Sequence, residues 1–108
     1  MNRETLATAR SINGKEIRLT FRQWAHIVES HDYMAGNLER IMETVGAPDC
    51  VVDGTRREVI VLRHYEKTNI SEKNSVVVYK EDDGFVITAF FTSRPETITR
   101  RGVLWKRD

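Results

Sequence analysis

VVVYKEDDGFVITAFFT (76–92) is the stretch that decides the fold class. Two runs rich in β-branched and aromatic residues, 75–80 and 85–92, flank the acidic tetrapeptide Glu81-Asp82-Asp83-Gly84. Such runs read as strands, and the glycine-ended stretch between them reads as a tight hairpin turn. Upstream, EVIVLRHYE (58–66) has the same composition and is separated from the hairpin by the polar loop KTNISEKN (67–74). Cys50 to Val52 is a short apolar run closed by the turn dipeptide Asp53-Gly54, and GVLW (102–105) reads as a last short strand. The C-terminal half is therefore expected to be an antiparallel meander.

Toward the N-terminus the apolar period changes. Trp24, Ile27, Val28 and His31 fall at i, i+3, i+4 and i+7, which predicts a helix over 21–31. Thr20 is a suitable N-cap, and Gln23 three residues later completes a capping-box pattern. Leu38, Ile41, Met42 and Val45 repeat the spacing and predict a second helix over 38–45. Asn37 is placed to cap it, Gly46 to take the left-handed position after it, and Pro48 to prevent its continuation. Gly36 and Asn37 suit a short connection between antiparallel helices. Asn13-Gly14 signals a small hairpin within an N-terminal extension, residues 1–18, ahead of a single domain, residues 19–108. Helices first and strands afterwards argue an α+β fold, with both helices on one face of the sheet.

Strand alternation divides the sheet side chains into two sets. Ile60, Leu62, His64, Val77, Tyr79, Phe85, Ile87, Ala89 and Phe91 are assigned to the core beneath the helices. Val59, Val61, Arg63, Tyr65, Val76, Val78, Lys80, Val86, Thr88, Phe90 and Thr92 are assigned to an open face. A face that mixes cations, hydroxyls and aromatics suits a nucleic-acid backbone, and it also suits a protein partner.

Composition narrows the classes. The 108 residues are 40% hydrophobic and 31% charged, the values of a folded globular chain. No apolar run approaches the roughly 18 residues of a membrane helix. The N-terminus lacks the apolar core of a signal peptide, so a cytoplasmic location is expected. Cys50 is the only cysteine, which excludes an intrachain disulfide and a four-thiolate zinc site. Net charge is +1, but the charges are segregated. Residues 20–53 carry two basic side chains against six acidic ones. Residues 56–80 carry six basic against three acidic, and residues 93–108 five against two. The basic C-terminal half is able to meet phosphates, although scattered charges on a solvated sheet are the simpler account of the charge alone.

No Walker, Rossmann, HExxH, GxSxG or CxxC motif is present. His26 and His31 are five residues apart and face different sides of one helix, so a metal site and a cofactor are not expected. His31 continues an apolar stripe yet closes a helix, where the dipole favours a cation. It is either a packed capping residue or an acid/base group. Arg63, His64, Tyr65 and Lys67 gather at one strand end. A cation there stabilises developing phosphate charge, and a histidine or tyrosine moves protons. Thr88 and Thr92 offer hydroxyls to a phosphate, and Arg94, Arg100 and Arg101 offer charge. An ordinary strand end, β-favouring threonines and a solvated tail explain the same residues without function.

The stretches LTFRQWAHIVESH (19–31), LERIMETVGAPDCVV (38–52), VIVLRHYEK (59–67), VVVYKEDDGFVITAFFT (76–92) and GVLWKR (102–107) resemble, in order and spacing, the phage-type BECR nucleases (barnase, EndoU, colicin and RelE-like). The resemblance implies two N-terminal helices packed on one face of a four-stranded antiparallel sheet. It also implies a metal-independent endoribonuclease of toxin or phage-effector type, in which the ribose 2′-hydroxyl attacks the adjacent phosphate. Carried over by position, it implies catalytic roles for His31, Arg63, Tyr65, Thr88 and Thr92. RNA contacts are expected from Lys67, Lys80, Arg94, Arg100 and Arg101. Implied partners are RNA, either tRNA or ribosome-bound mRNA, and a cognate antitoxin or immunity protein, with the chain a monomer or homodimer. Members often read Arg-His at the end of the first helix, whereas Ser30 stands before His31 here. The alternative is a non-catalytic protein- or RNA-binding module with the same fold.

Overall fold

The computed structural model describes residues 4–108. The chain folds as β1 (Thr5–Arg10), β2 (Glu16–Thr20), α1 (Phe21–Ser30), a 3-10 turn (Asp32–Gly36) and α2 (Leu38–Gly46). Then follow β3 (Cys50–Asp53), β4 (Glu58–Tyr65), β5 (Lys73–Lys80), β6 (Phe85–Thr92), α3 (Glu96–Thr99) and β7 (Val103–Lys106). No described helix is long and apolar enough to cross a membrane.

This is an α+β fold, but the expected two helices on a four-stranded antiparallel sheet are overturned. The described residues form one seven-stranded mixed sheet, in the order β1-β2-β6-β5-β4-β3-β7, with three α-helices. The three additional strands are short segments whose strand character comes from pairing. The β1–β2 hairpin turns at Gly14, whose φ of +81° glycine adopts without strain. It joins β6 in parallel through Arg18 opposite Phe85. Ile17 and Leu19 on β2 are both fully buried in the core, so the hairpin is built into the sheet. β3 pairs with β4 at one side and β7 at the other, which leaves β7 as the rim strand.

Helix α1 starts where its cap directs, since the Thr20 hydroxyl accepts from the Gln23 amide at 3.0 Å. The expected Asn37 cap does not form. Asn37 instead bridges elements, donating to the Tyr33 carbonyl and to Asn69 Oδ1, each at 2.9 Å, and accepting from Arg40 Nη1. Gly46 lies inside the last turn of α2 and not in the left-handed position beyond it.

The main core lies between the helices and one face of the sheet. Ile27, Met34, Ile41 and Val45 meet Val51, Val61, Val77, Tyr79, Val86, Ala89 and Phe91 there. Burying a side chain of this size contributes roughly 1.5–3 kcal/mol. A smaller cluster of Val52, Ile60, Leu62 and Val76 lies on the opposite face, with Ile98 of α3 packed over it.

The face assignment is corrected by register. Val59 pairs with Tyr79, Val61 with Val77 and Arg63 with Ser75. Directly opposed residues share a face, so Val59, Val61, Arg63 and Tyr65 belong to the helix side. Ile60, Leu62 and His64 belong to the other side, the one-residue inversion that strand periodicity permits. A bulge in β6 makes Val86 partner Tyr79 and Thr88 partner Val78, with Ile87 between them unpaired. Val86 is therefore buried in the main core, while Ile87 lines the second face.

Candidate functional site

The second face is built in four tiers set by β4–β5–β6 register. His64, Asn74 and Thr92 form the first, Leu62, Val76 and Phe90 the second, and Ile60, Val78 and Thr88 the third. Glu58, Lys80 and Phe85 form the fourth. Both ends are polar and the middle is apolar. At about 3.3 Å per residue, the distance from His64 to Glu58 along β4 is about 20 Å.

The first tier opens into a cavity of about 520 Å³ lined by His64, Ser71, Glu72, Lys73, Asn74 and Ser93. His64 Nε2 lies 2.7 Å from Glu72 Oε2, which fixes the ring and leaves Nδ1 for another partner. Lys73 Nζ donates to Ser93 Oγ at 2.7 Å. The Thr92 hydroxyl accepts from the Arg94 amide at 3.0 Å and holds the chain in a turn beside this cavity. A histidine oriented by a carboxylate, an ammonium and a hydroxyl thus meet at one exposed sheet end.

Arg63 and Tyr65 lie on the face opposite His64, and Lys73, paired with Tyr65, reaches the cavity from that side at the strand end. Arg63 Nη1 donates to the Ala47 carbonyl at 2.6 Å, and its Nε lies 3.4 Å from Glu43 without hydrogen-bond alignment. The Tyr65 hydroxyl donates to Glu43 at 2.5 Å. Arg40 and Arg63 both stand over the Tyr65 ring, at 5.6 and 5.7 Å. Burial, together with the bond to Glu43, pushes the Tyr65 phenol up to about 12, so it stays a donor at neutral pH. These groups join α2 to the sheet. Beside them, Trp24, Leu38, Arg40, Glu43 and Tyr65 help line a cleft of about 670 Å³. Of its charged members, Arg40 already donates to Asn37 Oδ1 and the Lys67 carbonyl, and Glu43 accepts from Tyr65.

His31 caps α1 at the edge of β6, with Tyr33 and Phe90 as ring neighbours at 5.7 Å each. The five expected catalytic residues therefore do not converge. Arg63 and Tyr65 are on the helix side, Thr88 and Thr92 on the second face, and His31 at the rim beside Phe90. Of the expected RNA contacts, Lys80 and Arg101 border the second face. The Lys67 carbonyl faces Arg40 near α2, and Arg94 and Arg100 flank α3. His64, Glu72, Lys73 and Ser93 are the residues that sequence reading misses as a group. Placing 67–74 in a loop hides the fact that β5 begins at Lys73, which brings Glu72 against the end of β4.

Comparisons with protein-family models, with curated proteins and with solved structures return no match for this chain.

Proposed function

We propose that the protein is an endoribonuclease that works on the second face of its sheet. One observation carries this reading: His64, oriented by Glu72 at 2.7 Å, shares an open cavity with Lys73 and Ser93 at the end of a half-buried row that carries Thr92, Phe90 and Thr88. Imidazole both accepts and donates protons near neutral pH. His64 Nδ1 takes the proton of a ribose 2′-hydroxyl while Nε2 stays on Glu72. The 2′-oxygen then bonds to the adjacent phosphorus, and the bond from phosphorus to the 5′-oxygen breaks. The departing oxygen takes up a proton from solvent, and the products are a 2′,3′-cyclic phosphate and a 5′-hydroxyl. Lys73, with two N–H donors beyond the one on Ser93, meets the charge that grows on the phosphoryl oxygens. Proton removal and charge stabilisation are both held by side chains of the protein, so cleavage is expected to need no metal ion. The BECR resemblance supports the same chemistry but with His31, Arg63 and Tyr65; the geometry favours His64 in their place.

The test is incubation of the protein with total RNA and tRNA, with and without EDTA, with analysis of the product ends. Cleavage that resists EDTA and leaves 2′,3′-cyclic phosphates is expected. It should fall by about 10²–10⁴ in His64→Ala and by less than about tenfold in His31→Ala. Absence of cleavage on naked RNA and with translating ribosomes added overturns the proposal. The second reading, a non-catalytic binding module, is favoured by the rim strand β7, where Val103, Leu104 and Trp105 are all exposed. Unpaired apolar edges of this kind receive partner strands.

A further inference from the structure

A groove of about 300 Å³ between the sheet and α3, separate from the His64 cavity, carries two opposite charges that do not meet. Glu58 and Arg101 both line it, and no ion pair joins them. Among the described residues, neither the Glu58 carboxylate nor the Arg101 guanidinium has any other hydrogen-bond or ion-pair partner. Lys80, paired opposite Glu58 on the neighbouring strand, lines a different cavity with Asp82 and Asp83. Val78, Phe90 and Ile98 supply the apolar walls of the groove, and Thr88 adds a hydroxyl.

The backbone holds Glu58 in place. Its amide donates to the Thr55 carbonyl and its carbonyl accepts from the Gly54 amide, both at 3.1 Å. A side chain at Gly54 would collide with the Glu58 backbone, so this close approach depends on glycine there. The carboxylate therefore starts from a fixed point at one end of the groove.

The two charges decide what the groove accepts. Glu58 repels a ligand that is only anionic, and Arg101 repels one that is only cationic. A neutral apolar molecule would strip water from both charges and return no hydrogen bond. A ligand with an ammonium, a carboxylate and an apolar body meets all three demands. We infer that the groove binds a free apolar α-amino acid, with its ammonium on Glu58, its carboxylate on Arg101 and its side chain between Val78 and Ile98. A guanidinium takes a carboxylate through two parallel N–H bonds, and an ammonium donates to a carboxylate as a charge-assisted bond. Val78 stands one tier along from Glu58, about 6.6 Å at the rise of a strand, within reach of a leucine side chain. The volume lies at the lower end of the roughly 300–1,000 Å³ of small-molecule sites, which suits a ligand of that size. The inference stands apart from RNA cleavage and uses none of its residues.

The experiment titrates isotope-labelled protein with L-leucine and follows the backbone amide signals. L-leucinamide, which lacks the carboxylate, and N-acetyl-L-leucine, which lacks the ammonium, are titrated alongside. Saturable shifts are expected at Thr88, Phe90 and Ile98. Each derivative should bind about fivefold or more weakly than leucine, the weight of one solvent-accessible ion pair. Glu58→Gln should weaken leucine and leave N-acetyl-leucine unchanged, because the group that Glu58 reads is already masked there. Arg101→Gln should weaken leucine and leave leucinamide unchanged for the matching reason. Both substitutions are at solvent-accessible side chains without partners, so the melting temperature should not move. Shifts that never saturate, equal binding of leucine and leucinamide, or leucine binding that survives both substitutions would each overturn the amino-acid site.

Discussion

The two faces of the sheet use the same residue types differently. On the helix side, polar groups are tied into the packing. Thr44 and Ser75 are fully buried and lie 2.9 Å apart, Arg63 is bonded to the Ala47 carbonyl, and Tyr65 to Glu43. On the second face, polar groups crowd the two ends and keep free valences toward solvent. The side chain of Arg63 is 22% exposed and that of His64, its neighbour in sequence, 42%. Alternation along one strand thus separates a structural cation from a candidate acid/base group. Residue type alone does not assign a role; the face does.

The comparison is most exposed to failure in the helix-side core. Ile41→Ala should lower unfolding free energy by about 2–5 kcal/mol in urea denaturation, because Ile41 is fully buried and leaves a cavity. Thr44→Val should cost about 1–3 kcal/mol by the same measurement, since the Arg40 carbonyl and the Ser75 hydroxyl lose their partner. Tyr65→Phe is expected to cost about 1 kcal/mol and to leave RNA cleavage within about threefold of wild type. A loss of cleavage comparable to that of His64→Ala would place chemistry on the wrong face. His64→Ala itself should alter stability by no more than about 1 kcal/mol, as befits an exposed pair with Glu72.

Stability should also depend on alkaline pH through the helix side. Tyr65 is pushed up to about 12 by burial and by Glu43, and Tyr79 to about 12 by burial and by Glu81. A phenol raised in the folded state contributes stability that is complete below the unfolded value of about 10 and is lost as pH climbs toward 12. Denaturation midpoints should therefore be level below about pH 10 and fall above it, less steeply in Tyr65→Phe.

Much of the local structure was legible in the sequence. The spacing from Trp24 to Val28 and from Leu38 to Val45 set both longer helices, and the Gly84 turn set the β5–β6 hairpin. The face of β4 was not legible, because Val59 and Val61 are as apolar as Ile60 and Leu62, and a strand apolar on both sides has no alternation to read. The bulge at Ile87 inverted the start of β6 for a reason visible only in pairing. The GVLW run announced β7, whereas β3 is four residues and α3 a single turn, too short for a periodic signal. The His64–Glu72 contact joins residues eight apart across a turn, which no helical or strand spacing announces.

The most direct test of the account is to titrate a short single-stranded RNA into isotope-labelled protein and follow the backbone amide signals. Shifts should concentrate at His64, Asn74, Thr88, Phe90 and Thr92, with α2 and the cleft beside Trp24 and Tyr65 unmoved. Shifts centred on that cleft, or none at RNA concentrations that saturate cleavage, would contradict it.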